Sequence, residues 1–180
     1  SAMGSVLVFD LRPSGTWAVY SGDVRFSGRA ELFSTNRSEH HRLSPTLQPD
    51  EYVGAFSITQ DSEYVVFNVI RPGLDAVLYG VPMRRQTEPV RLSPVGLNVD
   101  QFWCAPESTT VFFSGSTSSG QQSFLVKVDG SGLTPLPRFV QDLHFSPDGD
   151  WFALGTLSSG SCRSISTRRP SSSTLRRRET

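Results

Sequence analysis

The 180-residue sequence holds two cysteines, Cys104 and Cys162, too few for a disulfide framework and without a spacing that suits zinc. They leave the redox compartment open. Its longest apolar runs, such as Tyr64-Val65-Val66-Phe67, are far too short to cross a bilayer as a helix. Charge of one sign is also missing. Lys plus Arg and Asp plus Glu number 17 each, so no net field draws the chain to nucleic acid or to an anionic membrane. No basic segment followed by an apolar run opens the sequence, so no signal peptide is expected within it. Ser1-Ala2-Met3-Gly4-Ser5 reads as a cloning remnant outside the fold.

Signatures of catalysis are equally scarce. No Gly-x-Ser-x-Gly occurs, which excludes a nucleophile elbow of the hydrolase kind. The stretch Gly115 to Gly120 has phosphate-loop spacing, but Gln121 stands where a lysine is required, and the stretch joins two strands instead of opening a helix. Adjacent His40 and His41 point to opposite faces if extended, so they cannot chelate one metal and read as solvated loop residues. His144 alternates with Leu143 and Phe145 and reads as a structural histidine. Asn36-Arg37-Ser38 fits a glycosylation sequon, meaningful in a protein secreted by a eukaryote. No catalytic, cofactor-binding or metal-ligating residue is assigned, and no cofactor is expected.

What the sequence does contain is a repeat. Leu143 to Leu154 reads as strand, tight turn, strand: Pro147 sets φ, Asp148 can bond its own backbone, and Gly149 accepts a positive φ. The same dozen positions recur without gaps from Phe9, Phe56 and Phe102. The turn position falls at Pro13, Gln60, Pro106 and Pro147. Two residues before it stand Leu11, Ile58, Cys104 and Phe145, and four before it Phe9, Phe56, Phe102 and Leu143, one face of a strand. Cys104 thus reads as a small buried hydrophobe. Asp61, Glu107 and Asp148 share one position beside the turn, where a carboxylate caps backbone N–H groups.

A third strand follows in the first three units, as Glu31-Leu32-Phe33, Val77-Leu78-Tyr79 and Phe124-Leu125-Val126, while the fourth runs polar from Ser158 where an apolar third strand is due. A fourth ends two units identically, as Arg42-Leu43-Ser44-Pro45 and Arg91-Leu92-Ser93-Pro94. The residues 21–29, 68–75 and 114–122 between second and third strands read as long loops that share one rim. Four short strands in a unit of this length form a β-propeller blade. The fold expected is all-β, a small or incomplete propeller of about four four-stranded antiparallel blades in one domain. Its units are 6–45, 52–94, 99–137 and 141–157 onward, within 6–157. Residues 158–180 read as a polar, basic tail, a degraded or disordered fourth blade or a weak edge strand. Phe9, Phe56, Phe102, Phe145, Trp17, Tyr64 and Trp151 are expected to pack in or between blades.

At the turn, the flanking strands and the two Arg-Leu-Ser-Pro closures, the chain resembles the TolB-like or PD40 class of WD40-like propeller repeats. The resemblance spans roughly residues 6 to 157. It departs at Gln60-Asp61-Ser62 and Pro106-Glu107-Ser108, where the pattern has Pro-Asp-Gly. It implies a non-catalytic interaction or scaffold domain with a protein partner, in an extracytoplasmic bacterial setting. The alternatives are a propeller that accompanies an enzyme, as a peptidase gate or a glycan-processing domain, and a fragment that assembles through blade faces into an oligomeric ring. Nucleic-acid binding and membrane insertion are not expected.

Overall fold

The computed structural model describes residues 5–11, 16–24, 28–73, 75–106, 108–136, 139–140, 142–145, 151–158 and 161–168. Every regular element among them is a strand. The first sheet is β1 (Val6–Leu11), β2 (Ala18–Gly22), β3 (Glu31–Thr35) and β4 (His40–Arg42). The second is β5 (Tyr52–Ile58), β6 (Tyr64–Ile70), β7 (Val77–Pro82) and β8 (Val90–Arg91). The third is β9 (Asn98–Cys104), β10 (Thr110–Thr117), β11 (Gly120–Lys127) and β12 (Thr134–Pro135). The fourth holds β13 (Asp142–Phe145), β14 (Trp151–Ser158) and β15 (Ser161–Arg168). Each sheet is an antiparallel meander in chain order, as the repeat predicts.

The register rows repeat with the sequence. Phe9, Tyr20 and Phe33 pair across the first sheet, Phe56, Phe67 and Tyr79 across the second, Phe102, Phe113 and Phe124 across the third. Alternation sends each row to one face, and in the second and third sheets that face meets the preceding sheet. Phe67 lies in a core with Val19, Leu32 and Leu43 of the first sheet. Phe113 and Phe124 lie in one with Val66, Leu78 and Leu92 of the second. Leu143 of the fourth sheet packs with Phe112 of the third. Each sheet thus has a donating face, turned to the sheet before it, and a receiving face, turned to the sheet after it.

The Arg-Leu-Ser-Pro closures have a mechanical explanation. Leu43 and Leu92 enter the receiving-face cores and are 0 % and 2 % exposed. Their amides donate to the carbonyls of Leu32 and Leu78. The next residue then closes the loop, since the Ser44 and Ser93 hydroxyls accept the N–H groups of Leu32 and Leu78 at 3.3 and 3.1 Å. Leu136 repeats the amide bond, onto the Ser123 carbonyl, without the serine. Sheets are joined by another repeated bond: Val53 N–H to Ala30 O at 2.8 Å and Val99 N–H to Ala76 O at 2.9 Å.

The turn that replaces Pro-Asp-Gly in the second unit is held by its own side chains. Thr59 Oγ1 donates to Asp61 Oδ1 at 2.6 Å, and the same oxygen accepts Glu63 N–H at 3.0 Å. Ser62 takes φ 64°, the left-handed conformation that glycine supplies in a Pro-Asp-Gly turn. The equivalent residues 13–15, 107 and 146–150 lie outside those described, as do the side chains of His144, Phe145, Trp151 and Cys162.

Two expectations need correction. Residues 114–122 are not a long loop, because β10 and β11 pair through Ser114–Ser123, Gly115–Gln122 and Ser116–Gln121 down to Thr117–Gly120. Backbone ladders do not require apolar side chains, and periodicity alone missed this polar hairpin. The phosphate-like spacing is therefore the hairpin tip. Phe9 and Leu11 are not buried but 67 % and 61 % exposed, because no described sheet precedes theirs. Trp17, by contrast, packs into the core between the first two sheets and Tyr64 against that between the second and third. Phe56 and Phe102 are half-buried against those same cores.

Candidate functional site

Equivalent positions can be compared across sheets to separate exposure due to the fold from exposure peculiar to one sheet. Leu7, Gly54 and Asp100 correspond, and all are exposed; so do Val8, Ala55 and Gln101. Each set sits at the bulge where the first strand slips register against the second. Those residues are exposed by design of the repeat. Val6 and Leu11 are different. Val6 is 57 % exposed where its equivalents Val53 and Val99 are 2 % and 3 %, and Leu11 is 61 % exposed where Ile58 is 7 %. Phe9 joins them. Their common face is the donating face of the first sheet.

Toward β4 this face is ordered by stacked rings. Tyr20 and Phe33 stack with centroids 5.3 Å apart, and Phe33 and His40 at 5.2 Å. Tyr20 Oη lies 2.7 Å from His40 Nε2. Burial pushes the Tyr20 phenol above the ordinary tyrosine value. His41 turns to the other face, where it stacks on Trp17 at 5.8 Å and lies 3.7 Å from Glu39. The two histidines thus diverge as alternation requires, His40 exposed and His41 half-buried, but they are strand residues with aromatic partners and not loop residues. Beside this patch, Ser5 just before β1 is tied down by Asp23, whose carboxylate accepts the amides of Ser5 and Gly28. Those amides hold its pKa below the usual carboxylate value.

A concavity of about 240 Å³ lies at the rim between the first two sheets, lined by Trp17, Asp61, Ser62, Glu63, Met83 and Arg84 among others. Asp61 is committed there to the turn bonds already described, so turn chemistry accounts for it; Glu107 and Asp148 lie outside the described residues. Asn36 is engaged as well, its side-chain oxygen accepting the amides of Ser38 and Glu39 at 2.8 and 2.7 Å. Among the described residues no group of three or more His, Cys, Asp or Glu is placed to hold a metal ion. Cys104 is half-buried against the core between the second and third sheets.

Successive four-stranded meanders, stacked through repeated donating and receiving faces, define a β-propeller, small or incomplete. Solved structures of that fold are its neighbours. A TolB of Agrobacterium tumefaciens matches with TM-score 0.58 at 18 % identity, over 89 % of this chain and 60 % of that one. An oligogalacturonate lyase in complex with manganese matches at 0.61 and 14 %, over 93 % of this chain and 51 % of that one. A prolyl endopeptidase matches at 0.62 and 14 %, over 93 % of this chain and 27 % of that one. The chain therefore spans 60 % or less of each. No protein-family model and no curated protein matches the sequence. At such identities the likeness establishes the fold, and function has to be argued from the site.

Proposed function

We propose that the chain is a non-catalytic interaction or scaffold domain of propeller fold, TolB-like in class, that presents the donating face of its first sheet to a protein partner. One observation carries this reading. Val6, Phe9 and Leu11 are 57 %, 67 % and 61 % exposed on one face of an edge strand, at positions that neighbouring sheets cover. Contiguous apolar surface of this kind marks protein contact in folded chains, and an edge strand adds unpaired backbone groups. Aromatic anchors beside a polar tip, here Tyr20 and His40, suit the centre of an interface.

The test compares immobilised wild-type chain with Phe9→Asp as bait. A protein retained at stoichiometric level by the wild type and lost with Phe9→Asp is the expected result. Turnover of peptide or glycan substrates that disappears in Glu63→Gln, at the rim cleft, would overturn a non-catalytic role.

A further inference from the structure

The rim cleft between the first two sheets has pinned walls. Met83 and Trp17, 2 % and 9 % exposed, form its buried part, and Asp61, Ser62, Glu63 and Arg84 stand around it. The Met83 amide donates to the Glu63 carbonyl at 2.8 Å, and the Met83 carbonyl accepts Ser34 Oγ of the first sheet at 2.6 Å. Arg85 Nη1 donates to the carbonyls of Arg42 and Ser44, also of the first sheet. Trp17 is held by its stack on His41. Ser62 and Arg85, at φ 64° and 43°, are the non-glycine residues with a left-handed backbone among those described, and both flank this cleft. Such conformations persist where the surroundings over-determine them, and they cluster at ligand sites.

The charges around the cleft are unspent. Asp61 uses Oδ1 for both of its turn bonds. Arg42, Arg71 and Arg85 each pair with a carboxylate. The Glu63 carboxylate and the Arg84 guanidinium, by contrast, pair neither with each other nor with any other described side chain. Volume decides the size of the occupant. At about 240 Å³ the cleft is smaller than the roughly 300–1,000 Å³ of sites that enclose a whole small molecule, so it suits one side chain. Lining decides its chemistry. Carboxylates of Asp61 and Glu63 outnumber the Arg84 guanidinium, and the indole and thioether beneath them suit an aliphatic stem that ends in a cation.

We propose that this cleft takes the basic side chain, arginine or lysine, of a peptide segment, its stem against Trp17 and Met83 and its charge at Asp61 and Glu63. Arg84 flanks the same cleft as a like charge, which disfavours a run of basic residues and so adds specificity. Trp17 belongs to the core between the first two sheets, so the cleft is separate from the exposed face of Phe9 and does not depend on what covers that face.

The test is a titration of the full chain with N-acetylarginine amide, followed by NMR at the Trp17 indole N–H, which Trp17→Phe assigns. Neutral N-acetylnorleucine amide and the anionic α-amide of N-acetylglutamic acid are titrated alongside. The arginine compound should give a saturable shift of roughly millimolar affinity, weaker in higher salt. Glu63→Gln should weaken it about three- to tenfold, and Arg84→Ala should tighten it about twofold. Both positions are exposed, and unchanged thermal unfolding shows that the fold is kept. No saturable shift at tens of millimolar arginine compound overturns the site. Norleucine amide that binds as tightly overturns the role of the carboxylates. A glutamate compound that binds and is lost with Arg84→Ala overturns the sign of the ligand. Phe9→Asp should leave the titration unchanged, and a shift lost with that change would overturn the site while leaving the bait comparison above to stand.

Discussion

Replacing Phe67 by alanine should be the most damaging simple change on the junction between the first two sheets. Phe67 is 0 % exposed, stacks on Tyr79 at 5.7 Å and reaches the core formed with Val19, Leu32 and Leu43. A buried phenylalanine covers about 150–250 Å². At about 25 cal/mol per Å², with the residual cavity added, truncation to a methyl group costs roughly 3–5 kcal/mol. The loss should also be local. In a stacked array stability is a sum over units and their junctions, so weakening one junction frees the sheet at that end. Urea titration measures the total, and hydrogen exchange locates it: amides of β1 to β4 should lose far more protection than those of β9 to β12. Phe9→Ala, at 67 % exposure, is the control and should cost under about 1 kcal/mol in the single chain. A Phe67→Ala cost below about 1 kcal/mol would refute the junction, and so would protection lost equally from the first and third sheets.

Three further outcomes are expected. Ser62→Gly should stabilise by roughly 0.5–1 kcal/mol in thermal or urea unfolding, because the φ of 64° strains a residue with a Cβ more than glycine's added chain entropy costs. Ser93→Ala should cost about 1–3 kcal/mol, since it strands the buried Leu78 N–H that its hydroxyl now satisfies; Ser93→Thr should recover part of this. Tyr20 should ionise above the ordinary tyrosine value in a phenolate absorbance titration. Its raised pKa contributes stability that is complete below the unfolded value of about 10 and fades as pH rises through the folded value, a dependence that Tyr20→Phe removes.

The repeat of Pro13, Gln60, Pro106 and Pro147 with apolar residues two and four before it located the first strand of every sheet, because buried strands must alternate and tight turns demand particular residues. Glu31-Leu32-Phe33 and Val77-Leu78-Tyr79 were legible for the same reason. The β10–β11 hairpin was not, since Ser114 to Gln122 pair through backbone groups that leave no mark on hydropathy. The exposure of Phe9 was also illegible: its neighbours in sequence match those of Phe56, and the difference lies in whether another sheet stands in front. Ser44 and Ser93 were visible as a recurring motif, while their task, closing a strand by accepting a third-strand amide, needed the geometry.

The direction of the stacking matters during synthesis. Each later sheet arrives with its bulky row facing a sheet already made, so the rings of Phe67 and Phe113 find cover as soon as their own meander pairs. The receiving faces that wait for a later sheet are small or aliphatic on the first two sheets, while the third presents Phe112 and Trp103. The first sheet is the exception among those described, since Phe9 stays 67 % exposed.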